Sequence, residues 1–251
     1  MRLFTIVALA AGICTSAAYA QTADATIELA DDLVEHADAL VEATDGVVES
    51  IDRTVENVDA MVEDADQAIE AGDVAAAKEA LAHADRTIEA ADALVEGADL
   101  LIENVDAIVE RTDANVEATI KTIEAALAKA PDSPALQGAL AKLKRADSAI
   151  ETADAAVEAA DKAVEATDTA IEATDKAVEA ASQAVNAAKP DALEAADKAI
   201  EEADRQAEAA DAAIEATDTA VEKADKAIEA ADKAIEDAHR VVETATMTGA
   251  L

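Results

Sequence analysis

The chain has 251 residues, with 57 acidic against 19 basic side chains and a formal net charge of -38. Aromatics make up 1% of it, and the single Phe, Tyr and Cys are Phe4, Tyr19 and Cys14. Past residue 20 there is therefore no Phe, Tyr or Trp ring for base stacking and no thiolate for zinc or nucleophilic work, and so negative a chain repels nucleic-acid phosphates.

The chain opens with Met1-Arg2, a short apolar run from Leu3 to Ile13, and small residues at Ala18 and Ala20 around Tyr19. This is the pattern of a secretory signal peptide over residues 1–20, too short for a stable membrane anchor. Bulky Ile13 before Cys14 argues against a lipoprotein leader. Cleavage before Gln21 would leave 57 acids and 18 bases, a charge of -39, in a secreted or periplasmic product without a transmembrane segment.

Residues 21–251 read as a single all-helical domain built on a heptad. Asp recurs every seventh residue in four runs: Asp24 to Asp73, Asp85 to Asp113, Asp147 to Asp175 and Asp197 to Asp232. The unit is Asp-x-Ala/Leu-Ile/Val-Glu-x-Ala/Thr, with apolar residues in its third, fourth and seventh places. That stripe has helical spacing, and Ala, Glu and Lys favour the helix.

The phase of the Asp series breaks at Ala71-Gly72-Asp73, at Pro131-Asp132-Ser133-Pro134 and at Lys189-Pro190-Asp191. Gly suits a helix C-terminus, Asp or Ser an N-cap, and Pro the first turn; Asp191 with Glu194 matches a capping box. The predicted helices cover 22–71, 74–129, 134–188 and 191–245. Their near-equal lengths and short turns predict an all-α fold, a long antiparallel four-helix bundle or coiled coil of Ala-rich heptads. Separate extended rods or an open oligomeric coiled coil are the alternatives.

The seventh place, Ala or Thr, is the centre of the stripe, with Ile/Val on one flank and Ala/Leu on the other. Small residues there let helices approach closely. The Asp borders the Ile/Val flank. In an antiparallel pair like flanks meet, so one seam is Ala/Leu against Ala/Leu and the next brings two Asp rows together. Ala160 in the seventh place is expected to be buried, and Ala155 in the second to be exposed.

Glu follows nearly every Asp by four residues and precedes the next by three, which makes a continuous acidic ladder. Like charges at this spacing cost about 0.2–0.5 kcal/mol per pair. Residues 21–130 carry 29 acids and 6 bases, and residues 131–251 carry 28 and 12. Two readings of the ladder stand: a solvated face that keeps the chain soluble, or a low-affinity cation surface. Asp38, Glu42, Asp45, Glu49, Asp52, Glu56 and Asp59 are the candidate metal-binding residues, with calcium or magnesium as the ion, since carboxylate oxygens suit hard cations. No cofactor is required, and there is no EF-hand loop.

His36, His83 and His239 are isolated and are read as solvated, with His239 standing where the repeat has Asp. Glu236-x-x-His239 matches half of a di-iron motif, but a di-iron bundle needs two copies facing inward. Every carboxylate sits in a repeated environment, so no catalytic residue is assigned and the protein is read as not an enzyme.

The stretch Ala71-Gly72-Asp73-Val74-Ala75-Ala76-Ala77-Lys78-Glu79-Ala80-Leu81-Ala82-His83-Ala84, with the heptad plan, resembles the periplasmic small metal-binding proteins. Those are heptad-built four-helix bundles that bind copper and other divalent metals through many histidines. Their histidines are nearly all Asp, Glu or Ala here. The resemblance thus implies metal handling by carboxylates and carries over no copper site.

Together these features point to an exported acidic structural or cation-buffering element. Its partners would be divalent cations, another copy of itself or another cell-envelope component, and not nucleic acid. The alternative is an amphipathic protein that opens its helices onto a lipid or polymer surface. Its polar face lacks the basic residues, and its apolar face the Trp, Phe and Leu, that interfacial helices carry.

Overall fold

The computed structural model describes residues 2–187 and 193–247, with side chains for 22–187 and 194–247. Four helices account for them: α1 (Arg2–Glu70), α2 (Val74–Leu127), α3 (Pro134–Ala187) and α4 (Leu193–Met247). The fold is an all-α four-helix bundle. Helix α1 runs without interruption from Arg2 through the start of the repeat. The Lys189-Pro190-Asp191 turn lies outside the described residues, as does the Asp191 end of the expected capping box.

The α1–α2 turn is compact because two caps share one residue. Gly72 has a φ of 77°, a left-handed conformation that costs glycine little. The Gly72 N–H donates to the Ile69 carbonyl at 2.9 Å and the Asp73 N–H to the Ala68 carbonyl at 2.8 Å, the paired bonds of a Schellman ending. Asp73 then starts α2, its Oδ1 accepting from the Ala76 N–H at 3.1 Å. At the next turn Ser133 is the N-cap. Its carbonyl accepts from the Gln137 N–H at 3.1 Å, and Pro134 occupies the first helical position, where a missing N–H costs nothing.

The chain divides into two compact units. Unit 1 comprises Met1–Leu40, Asn104–Val157 and Lys223–Leu251. Unit 2 comprises Val41–Glu103 and Glu158–Glu222, so it consists of one α1/α2 segment and one α3/α4 segment. The core follows the same rule in each: fourth and seventh places buried, first and third half-buried, second, fifth and sixth mostly exposed.

In unit 1, Ile27, Val116, Ile150 and Ile235 are buried. In unit 2, Ile51, Ile102, Ile171 and Ile214 play the same part. Each such aliphatic contributes about 1.5–3 kcal/mol on burial. Ala160 is 0% exposed, while Ala155 is exposed. The third place, counted from sequence as part of the stripe, is only half-buried, as at Leu33 and Leu94. Two buried rows suffice to line the centre of four packed helices, and the first and third places then become the shoulders of that core.

Candidate functional site: two acidic grooves

Both shoulders follow from the heptad phase. A first-place Asp lies beside a fourth-place Ile or Val, so the packing that buries the aliphatic drags the carboxylate partly out of water. Because neighbouring helices run antiparallel, first places meet first places. The α1 row therefore faces the α4 row, and the α2 row faces the α3 row.

In unit 2, Asp52, Asp59 and Asp66 of α1 lie against Asp211, Asp204 and Asp197 of α4. The carboxyl of each of the three is pushed above the usual range, first by burial and next by that facing Asp. Across the other groove, burial raises Asp168 with help from Asp92. Burial also raises Asp175, with help from Glu179 and Asp85. This α2/α3 groove holds a recess of about 490 Å³ between Asp85, Asp92, Asp175 and Glu179.

Unit 1 repeats the arrangement. Burial and then Asp31 push Asp232 up to about 6, and burial and then Asp147 raise Asp113. A recess of about 470 Å³ lies between Asp113, Glu110, Glu151 and Asp154. The Oδ1 atoms of Asp24 and Asp31 are buried without a hydrogen-bond partner, as is that of Asp59 in unit 2. A buried carboxylate oxygen in that state carries an uncompensated desolvation cost.

The seven ladder residues do not form one site. Asp38, Asp45, Asp52 and Asp59 are half-buried in the row, while Glu42, Glu49 and Glu56 face solvent. Glu49 is paired with Arg53 at 2.6 Å. Among the described residues, no group of three or more His, Cys, Asp or Glu is arranged to hold a metal ion. What the fold brings together is instead the α1 Asp row and the α4 Asp row. Heptad phase plus antiparallel order signals this pairing, but a ladder read along a single helix does not.

The histidines divide likewise. His36 and His83 are exposed. His239, expected to be solvated, has its side chain 26% exposed. Its Nδ1 lies 3.5 Å from Asp31 Oδ2 and its Nε2 4.0 Å from Asp24 Oδ1. It sits in the α4 row where the repeat has Asp, and the same packing that half-buries Asp half-buries the imidazole.

Several cations pair along their own helix, although Lys176 also lines the α2/α3 recess and, in unit 1, Lys144 of α3 reaches Glu124 of α2 at 3.2 Å. Lys162, Lys176 and Lys198 pair with Glu158, Glu172 and Glu194 one turn away on the same helix. In unit 1, Lys142 of α3 crosses to Asp237 of α4 at 2.6 Å.

The remaining, third-place shoulder is mainly Ala, Leu or Val, with polar exceptions such as Thr87, Asn115 and Gln206, and between α3 and α4 the buried seventh places add hydroxyls. In unit 2 the Thr167 and Thr217 hydroxyls are 2.9 Å apart between α3 and α4. The Thr217 hydroxyl also donates to the Ala163 carbonyl at 2.9 Å, and that of Thr174 to the Gln206 carbonyl at 3.0 Å. A hydroxyl reaches a neighbouring helix's carbonyl only where small residues let the backbones close in.

No protein-family model matches this chain, and a comparison with curated proteins finds no match. Among the described residues, no helix is long and apolar enough to cross a membrane.

Proposed function

We propose that this protein is an exported, non-catalytic acidic element whose paired Asp rows act as a diffuse, low-affinity surface for divalent cations, calcium or magnesium. The supporting observation is the facing of half-buried Asp rows, exemplified by Asp59 against Asp204, where burial and like charge both oppose ionisation. A hard divalent cation near such a pair offsets the repulsion of two carboxylates at once. Helix surfaces offer only two or three oxygens at a point, so the affinity is in the millimolar range and the capacity is spread along the rows. Export rests on the leader pattern at residues 1–20.

The test is thermal melting by circular dichroism. Calcium or magnesium at a few millimolar is compared with sodium chloride of matched ionic strength. At five times its Kd an ion bound to the folded state stabilises it by about 1 kcal/mol. The melting temperature should rise by about 2–4 °C beyond the sodium control. Replacing Asp38, Asp45, Asp52 and Asp59 with Asn should remove most of that excess. If sodium chloride reproduces the whole effect, the rows are only a screened charged surface. Export is tested by intact mass: secreted material should begin at Gln21, and material retaining Phe4 and Tyr19 contradicts the leader.

A further inference from the structure

Unit 2 is assembled from two stretches of chain, residues 41–103 and 158–222. The first is α1 and α2 joined by the tight Gly72–Asp73 turn, and the second is α3 and α4. The seams inside these hairpins and the seams between them differ in chemistry. Inside the second hairpin, Thr167 bonds to Thr217, Thr217 to the Ala163 carbonyl and Thr174 to the Gln206 carbonyl. Inside the first, the Thr87 hydroxyl contacts the Met61 sulfur at 3.8 Å. Between the hairpins, both grooves set carboxylate against carboxylate: Asp59 against Asp204, and Asp168 against Asp92.

From this contrast we infer that unit 2 has a built-in parting plane: when the bundle is weakened, it opens along the two acidic grooves as two intact helical hairpins. The shared Ile/Val core holds the hairpins together. Charge along the grooves opposes it, whereas among the described residues the seams within each hairpin are joined by hydroxyl contacts. Each hairpin keeps two helical stretches of thirty residues, well beyond the ~12–15 at which isolated helices become marginal. Opening exposes the fourth-place aliphatics of both hairpins, and ionic strength sets how readily it happens. At about 10 mM salt the Debye length is ~30 Å and the rows repel along their whole length; at 1 M it is ~3 Å. The device is independent of whether calcium or magnesium is the physiological ion.

Two cysteine pairs in a Cys14→Ser background, labelled for distance measurement, test this. Ala60→Cys with Ala212→Cys spans the α1/α4 groove, and Ala166→Cys with Ala216→Cys lies within the α3/α4 hairpin; all four positions are exposed. In a urea titration of the full chain at 10 mM salt, the groove pair should separate at lower urea than the hairpin pair. The gap should shrink at 500 mM sodium chloride. It should also shrink at 10 mM salt when Asp52, Asp59, Asp204 and Asp211 are changed to Asn. Coincident transitions at low salt, or earlier loss of the hairpin pair, would overturn the inference. A gap that survives both salt and the Asn changes would equally overturn it, since charge would not be its cause.

Discussion

His239 Nδ1 lies 3.5 Å from Asp31 Oδ2, in a row where every earlier place on α4 from Asp197 to Asp232 is carboxylate. At this place an imidazole, and not a carboxylate, stands against Asp24 and Asp31. His239→Asp would complete the acidic row and add repulsion against Asp24 and Asp31. At low ionic strength and neutral pH it should lower the melting temperature by about 2 °C or more. His36→Asp, on an exposed place, should change it less. Equal effects of the two substitutions would mean that the imidazole gains nothing from its position.

Acidification should strengthen this bundle before it weakens it. Asp52, Asp59, Asp66, Asp113, Asp168, Asp175 and Asp232 all have raised carboxyl pKa values in the fold, each first through burial. A folded-state pKa above the unfolded one means that the folded chain holds the proton more tightly. That stabilisation is complete below the unfolded value of about 3.8 and is lost as pH rises through the folded value, about 6 for Asp232. Glu172, Glu194 and Asp237 are lowered by Lys176, Lys198 and Lys142, and so act in the opposite sense. Solvent screens those exposed pairs, so the rows decide the sign. The melting temperature at constant ionic strength should rise from pH 7 to pH 4.5. A steady fall over that interval would show that the rows do not govern stability.

Ala160→Glu should disrupt the bundle and Ala155→Glu should not. Ala160 is 0% exposed in the seventh place, so a glutamate there must be both overpacked and desolvated. The cost is about 3 kcal/mol or more. Ala155, five residues earlier on α3, is exposed to solvent. Matching melting curves for the two variants would contradict the buried rows.

The threonine contacts should prove modest in energy. Thr217→Val keeps the volume but removes the hydroxyl that links Thr167 and the Ala163 carbonyl. Thr167 can still turn its hydroxyl to its own helix, as Thr174 does toward Ala170. The expected loss is about 1 kcal/mol. Thr167→Val with Thr217→Val should cost little more than the single change, because the contact the two hydroxyls share is already lost in the single variant. A double variant that loses twice as much would mean that the two hydroxyls act separately.

Much of this fold is legible in the sequence because its information is periodic and local. The helix ends expected at 71, 74, 129 and 134 appear at Glu70, Val74, Leu127 and Pro134, since Gly72, Asp73, Ser133 and Pro134 each carry their own backbone preference. The meeting of like flanks follows from heptad phase and direction alone. Three features are not written in one heptad. The third place is a shoulder and not core, because the number of packed helices decides how wide a stripe is buried. His239 looks solvated when read by its own neighbours, and its burial comes from Asp24 and Asp31, more than 200 positions away in sequence. The Thr167–Thr217 contact depends on which seventh places meet across the α3/α4 hairpin. The candidate cation residues divide for the same reason: Asp52 and Glu56 are neighbours along α1, yet only Asp52 faces a second helix.

The sameness of burial from heptad to heptad makes each unit a ruler with fixed graduations. One heptad advances a helix by about 10.5 Å and returns every side chain to an equivalent neighbourhood. A matched insertion of seven residues in each of α1, α2, α3 and α4 would restore both grooves, whereas an insertion of five would turn every Asp beyond it away from its counterpart. Length within a unit is thus adjustable, but only in whole steps taken by all four of its helices together.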